Sequence, residues 1–200
     1  MADNSTMGST TDVIATDDDG TAKHQYVKLE FGADNVYTKV DFANPLPVVV
    51  EAATQRISVA AAGLTNVTYA AGDQLGNLIT LTGASRASGG SGYIRGITLV
   101  DAADIIGQVD VVIFDTTVTL AADNAAFAIS DADALRTVAL VQLAGAFDIG
   151  NNRICQANNL AIPFVCNGTS SLFAAMITRT ANAGYATATD IRLIVYVDWN

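Results

Sequence analysis

From Arg56 to the C-terminus the chain meets Gly, Asp, Asn or Pro about every ten residues, and no stretch between those marks carries the i, i+3, i+4 apolar stripe of a long helix. Segments that short cannot build a helical bundle, but they can build strands. The clearest is the last: Ile191, Leu193, Val195 and Val197 fall on one face and Arg192, Tyr196 and Asp198 on the other, the period-two pattern of a half-buried strand. The same reading places strands at 57–61, 77–82, 92–101, 109–114, 118–120, 125–129, 137–143, 160–165, 171–180 and 190–198. About eight strands at that spacing predict an all-β fold, a jelly-roll-like antiparallel β-sandwich. The single helical candidate is the turn after Ser130, where Ser130 or Asp131 can cap.

One segment suggests a different chemistry. GGSGYIRGITLVD, Gly89 to Asp101, places Gly90, Gly92 and Gly96 within one residue of a dinucleotide-binding G-x-G-x-x-G. That fingerprint needs a helix to open inside it, because the pyrophosphate rests on first-turn amides. YIRGITLVD is β-branched and the third glycine is displaced, so the segment reads as a loop launching a strand.

Half of the 200 residues are hydrophobic, enough for a sizeable core, while only 15% are charged. A surface that poor in Lys and Glu is easily covered by another subunit. The net charge of −10 argues against nucleic acid as a partner, since phosphate contacts need clustered cations; Lys23, Lys28 and Lys39 are the only lysines and the arginines are scattered. No run approaches the apolar length of a membrane span, and MADNSTMGSTTD has no signal-peptide character, so the expectation is a soluble protein made in the cytoplasm. Cys155 and Cys166 are too few for a disulfide framework. They flank the NNLA segment; a hairpin there would bring them near each other, and the alternative is two buried free thiols.

Residues 1–55 read differently from 56–200. The first 25 are polar, with the run TDDDGT, and form a tail on composition. YVKLEF, VYTKVDF and NPLPVVV follow as short β-prone pieces closed by prolines, an extended arm suited to adding a strand to an edge or crossing to a neighbour. The contact residues expected on it are Tyr26, Lys28, Leu29, Phe31, Val36, Tyr37, Val40, Phe42, Pro45, Leu46 and Pro47.

Catalytic arrangements find little support. The one histidine, His24, lies in the polar tail, where nothing fixes it beside a nucleophile. Setting Gly20 at position six of a calcium loop puts Ala15 and Tyr26 where an EF-hand needs Asp and Glu. Asp101/Asp104 and Asp131/Asp133 are spaced for a surface calcium ion, but aspartates in turns commonly bond their own backbone. Aromatic residues come one per strand or loop, as core packing would produce. The reading is of a protein that is not an enzyme and has no cofactor or metal.

Four segments carry a resemblance: VKLEFGADNVYTKVDFANPLPV, YAAGDQLGNLITLTGASRASGGSGYIRGITLVDAADIIGQVDVVIF, DNAAFAISDADALRTVALVQL and SLFAAMITRTANAGYATATDIRLIVYVD. Their layout resembles tailed-bacteriophage virion structural proteins, among them head decoration (cement) proteins, over most of residues 26–198. The resemblance implies a jelly-roll β-sandwich, a homotrimer, and a place on the outer capsid surface of the virion, binding and stabilising the shell of major capsid protein. A phage spike or tail-fibre component that binds host surface glycans is the alternative.

Overall fold

The structure, a computed structural model, describes residues 54–143, 145–187 and 189–200, together with the backbone of five short strands ahead of them. The chain divides into two compact units, Met1–Val49 and Val50–Asn200. In the first, β1 (Asp3–Thr6), β2 (Val13–Asp18) and β3 (Lys23–Gln25) form an antiparallel sheet in that order, and β4 (Glu30–Phe31) pairs with β5 (Thr38–Lys39). Three of these strands fall inside the stretch read from composition as a tail.

The second unit contains β6 (Thr54–Ala60), β7 (Ile79–Leu81), β8 (Ser91–Asp101), β9 (Val109–Phe114), α1 (Asp131–Ala134), β10 (Thr137–Leu143), β11 (Phe147–Asp148), β12 (Arg153–Ala157), β13 (Ile162–Val165), β14 (Leu172–Thr178) and β15 (Ile191–Trp199). Its larger sheet runs β11-β12-β8-β15-β6 and its smaller one β10-β9-β14-β7, with every pairing antiparallel. β13 also pairs with β8, so β12 and β13 lie end to end along one edge of that strand and act as a single interrupted strand.

Counting β12 and β13 as one and setting aside the two-residue β11, eight strands remain. In chain order the large sheet reads 1-8-3-6 and the small sheet 2-7-4-5. First pairs with last, second with seventh, third with sixth, fourth with fifth: a long hairpin rolled into two sheets, which is jelly-roll connectivity. The predicted fold class is the observed one.

Side-chain alternation decides which face turns inward. Leu193, Val195 and Val197 of β15 and Ile94, Ile97 and Leu99 of β8 pack against Val109, Val111 and Ile113 of β9 and Ala174 and Met176 of β14. Ile94 and Ile97 are three apart and should point to opposite faces. Both reach the core because the register with β15 shifts at Tyr196/Val197, leaving Arg95 as the extra residue of a bulge.

The strand expectations at 118–120 and 125–129 are not met. Val118, Leu120, Phe127 and Ile129 instead lie over the outer face of the small sheet, closing a second cluster with Val112, Phe114, Phe173, Ala175 and Ile177. Conversely, β11 and β12 carry no alternation long enough to be seen in the sequence. α1 starts where expected: the Ser130 hydroxyl accepts a hydrogen bond from the Asp133 amide.

Candidate functional site

Many of the charged side chains of the sandwich bond to its own backbone and side chains. Asp101, fully buried at the end of β8, accepts hydrogen bonds from the amides of Ala103 (2.9 Å), Ile105 (2.8 Å) and Ile106 (2.7 Å), fixing the turn into β9. Asp104 beside it is held by the Arg153 guanidinium at 2.9 Å, and Arg153 also donates to the Ile106 carbonyl. Both members of that calcium-like pair therefore have protein partners. Asp133 of the second pair receives the Ser130 hydroxyl and closes the helix cap. Among the described residues no group of three or more His, Cys, Asp or Glu side chains is placed to hold a metal ion.

Asp123 ties the loop between β9 and α1 to the chain ahead of β7, accepting from the Tyr69 hydroxyl at 2.8 Å, the Thr65 hydroxyl at 2.6 Å and the Gly76 amide at 2.6 Å. Burial pushes the Tyr69 hydroxyl above its ordinary pKa, with the Asp123 carboxylate adding to the shift. Asp110, nearly buried on β9, pairs with Arg179 at 2.5 Å. Asp198 accepts from Thr54 (2.7 Å) and Arg95 (2.5 Å), and these two bonds hold its carboxyl below the usual carboxylate range. Each arrangement joins distant parts of the chain; none sets an acid, a base and a nucleophile around a shared space.

The cysteines are free and buried. No hairpin joins them face to face: Cys155 pairs opposite Leu99, while the Cys166 amide bonds the Gly90 carbonyl, nine residues along β8 and so roughly 30 Å away. Burial pushes the Cys155 thiol up to about 11, with the nearby Asp101 charge helping and Arg153 opposing. Such a thiol is a packing group and a poor nucleophile.

The glycine-rich segment is likewise architectural. A Cβ on Gly92 would come within 2.8 Å of the Phe164 ring and closer still to the Asp198 carbonyl, so this position takes no side chain because β13 and β15 crowd it. Most aromatic side chains fill the two clusters, but Tyr93 and Phe147 are exposed, a departure from the core-filling expectation. They do not form a platform, since Phe147 lies beside Ile154, opposite Val100, seven residues along β8 from Tyr93.

What remains is a surface. A cleft of about 500 Å³ is lined by Gly145, Ala146, Phe147, Ile149, Ile154, Gln156 and Asn158, around β11 and β12. Amides and apolar groups can hold a partner there but cannot transfer a proton. Sequence reasoning missed this surface, because it assigned Phe147 to the core and saw no strand at 147–148 or 153–157. A signal was available: residues 137–147 contain no charged side chain. The arm contacts expected at Tyr26, Lys28, Leu29, Val36, Tyr37, Val40, Phe42, Pro45, Leu46 and Pro47 lie outside the described residues, and Phe31 is described only as backbone of β4.

No known protein family matches the chain, and no curated protein matches it. Among solved structures it is similar to a mutant VP2 protein of infectious bursal disease virus in T=1 particles, at 14% identity and a TM-score of 0.32 over 85% of this chain and 44% of that one. A VP2 subviral particle of the same virus gives 15% identity and 0.32, over 85% and 46%. The Gt strain of that virus gives 12% and 0.32, over 94% and 47%. The chain spans less than half the length of each of these proteins. Superpositions this loose say nothing about role, and the jelly-roll assignment rests on strand order.

Proposed function

We propose that the protein is a non-enzymatic virion structural protein, a capsid decoration protein that binds the shell of major capsid protein from outside and stabilises it as a homotrimer. The observation that carries the non-enzymatic, contact-making part of the reading is the cleft around β11 and β12, which offers apolar and amide groups for contact with another subunit and no titratable side chain, while attachment to the shell is assigned to the arm. The internal use of Asp101, Asp110, Asp123 and their partners supports it, as does the four-segment resemblance to phage decoration proteins. In this reading residues 26–50 are the anchoring arm, with Pro45 and Pro47 keeping the chain extended at low entropic cost on binding.

The test uses phage heads that lack the protein. Full-length chain should co-sediment with them to saturation and raise the temperature at which the shells break. A chain without residues 1–50 should keep a cooperative melt and lose binding. Full binding by the truncated chain would move attachment to the sandwich, and failure to melt cooperatively would put the arm in the core. Absence of binding to heads, together with retention on immobilised host glycans, would replace this reading with the spike or tail-fibre one.

A further inference from the structure

Asn167-Gly168 is the only Asn-Gly step in the chain; every other asparagine with a following residue has one that carries a side chain. The pair lies in the crossing from β13 in the large sheet to β14 in the small one. Hydrogen bonds tether that crossing on both sides of Gly168. The Cys166 amide donates to the Gly90 carbonyl (2.9 Å) and the Asn167 amide to the Asp115 carbonyl (3.0 Å), while the Thr169 and Ser170 carbonyls accept from the amides of Gly89 (2.9 Å) and Ser85 (3.1 Å). Gly168 itself is untied. Among the described residues neither its amide nor the Asn167 side chain makes a hydrogen bond, both residues are exposed, and a Cβ on Gly168 would meet nothing within 4 Å.

That setting opens one reaction to the asparagine. The exposed, unbonded Gly168 amide can lose its proton to hydroxide, and its nitrogen then lies within a five-membered ring closure of the Asn167 Cγ. The N–Cγ bond forms, the Cγ–Nδ2 bond breaks, and Nδ2 leaves as ammonia with a proton from water, giving a cyclic imide. Water reopens the ring at either carbonyl. Attack at Cγ yields aspartate; attack at the Asn167 main-chain carbonyl leaves the backbone running through Cβ and Cγ, which is isoaspartate. Water is consumed, ammonia is released, and nothing is oxidised or reduced. A side chain on the following residue hinders the closure, and a glycine does not. Asn66, Asn151 and Asn158 are exposed too but precede Val67, Asn152 and Asn159, so exposure alone does not single out Asn167.

We propose that Asn167 is a self-modification site, at which the folded chain converts an amide to isoaspartate and lengthens the crossing between the two sheets by one backbone carbon. The four tethers around Gly168 are set for the shorter path, so the longer one loosens them. This chemistry belongs to the chain alone and stands whether or not the protein binds capsids.

Full-length protein held in mildly alkaline buffer tests it, followed by peptide mass spectrometry that separates aspartate from isoaspartate. Asn167 should deamidate at least about tenfold faster than Asn66, Asn151 or Asn158, with isoaspartate the larger product. Its rate in the folded chain should lie within about tenfold of that in a synthetic peptide of residues 163–171, since nothing in the fold covers the site. Gly168→Ala should slow the reaction at least about tenfold, and Asn167→Gln should abolish it because a larger ring must close. In the modified fraction, collected by anion exchange, hydrogen exchange at the Ser85, Gly89, Cys166 and Asn167 amides should quicken about tenfold or more. Equal rates at the other exposed asparagines, aspartate as the sole product, an unchanged rate in Gly168→Ala, or a folded-chain rate more than about tenfold below the peptide's would each overturn the site. Unchanged exchange in the modified fraction would overturn its effect on the crossing.

Discussion

The two sheets of the sandwich solve the same folding problem in different ways. In the large sheet β15 alternates: Leu193, Val195 and Val197 face the core, and Arg192, Tyr196 and Asp198 face out. In the small sheet every residue of β9 (VDVVIF) and β14 (LFAAMIT) is buried, because the connection between β9 and α1 lies over the outer face. The first keeps water on its outer face; the two central strands of the second are covered on both faces. A strand's sequence thus records how many of its faces are covered, more than which fold it belongs to.

The comparison can be broken most forcefully at Val195. Val195→Asp places an unpaired charge at the centre of the shared core, at a cost of about 4 kcal/mol or more, and soluble protein should be lost on expression. Unchanged yield and melting temperature would mean the phase of β15 is wrong. On the covered face, Phe114→Ala should cost about 3 kcal/mol and do so unevenly: amide exchange should accelerate over 118–129 while β8 and β15 stay protected. Uniform acceleration would show one cluster, not two.

Asp110 is the exception on the covered face, a carboxylate sheltered in an apolar strand and reached by a partly exposed arginine. Arg179→Met should cost about 2 kcal/mol, and adding Asp110→Asn should recover part of it in a double-mutant cycle. Additive losses would mean the pair is not coupled. A smaller effect concerns pH. The folded Cys155 thiol titrates near 11 against an ordinary value near 9, so its contribution to stability is complete below pH 9 and lost as pH rises toward 11. Denaturant midpoints measured from pH 7 to 11 should fall only in that upper window, with a shallower fall in Cys155→Val. Smallest of all, Arg192→Lys on the wet face should change stability by less than about 0.5 kcal/mol, since its bond to Ser58 is long and exposed.

Legibility in the sequence followed the same division. The phase of β15 could be read because water reaches its outer face at Arg192, Tyr196 and Asp198, with Ile194 the buried apolar exception on that face. β9 and β14 could be found, as apolar runs, but which of their faces met the partner sheet could not. The segment from Val118 to Ile129 misled for a related reason: apolar residues spaced to cover a sheet resemble a strand when read alone. RICQA was missed because five residues give alternation no room. The cleft was the least legible, since an exposed Phe147 and a buried one are the same letter, and only the strand order puts β11 at the edge of the large sheet with β12 beside it.

The pairing of first strand with last has a consequence in time. Thr54 at the start of β6 is hydrogen-bonded to Asp198, 144 residues further on. While the chain is being made, β6 therefore waits for a partner that emerges after the other strands of the sandwich, roughly 7 to 29 seconds later at about 5 to 20 residues per second. Contacts of such sequence separation slow folding after release as well. Ribosome-bound chains ending before Ile191 would hold β6 and β8 without the strand that belongs between them. Proteolysis of nascent chains should find them open, and closure should come in one late step once the tunnel has released Trp199.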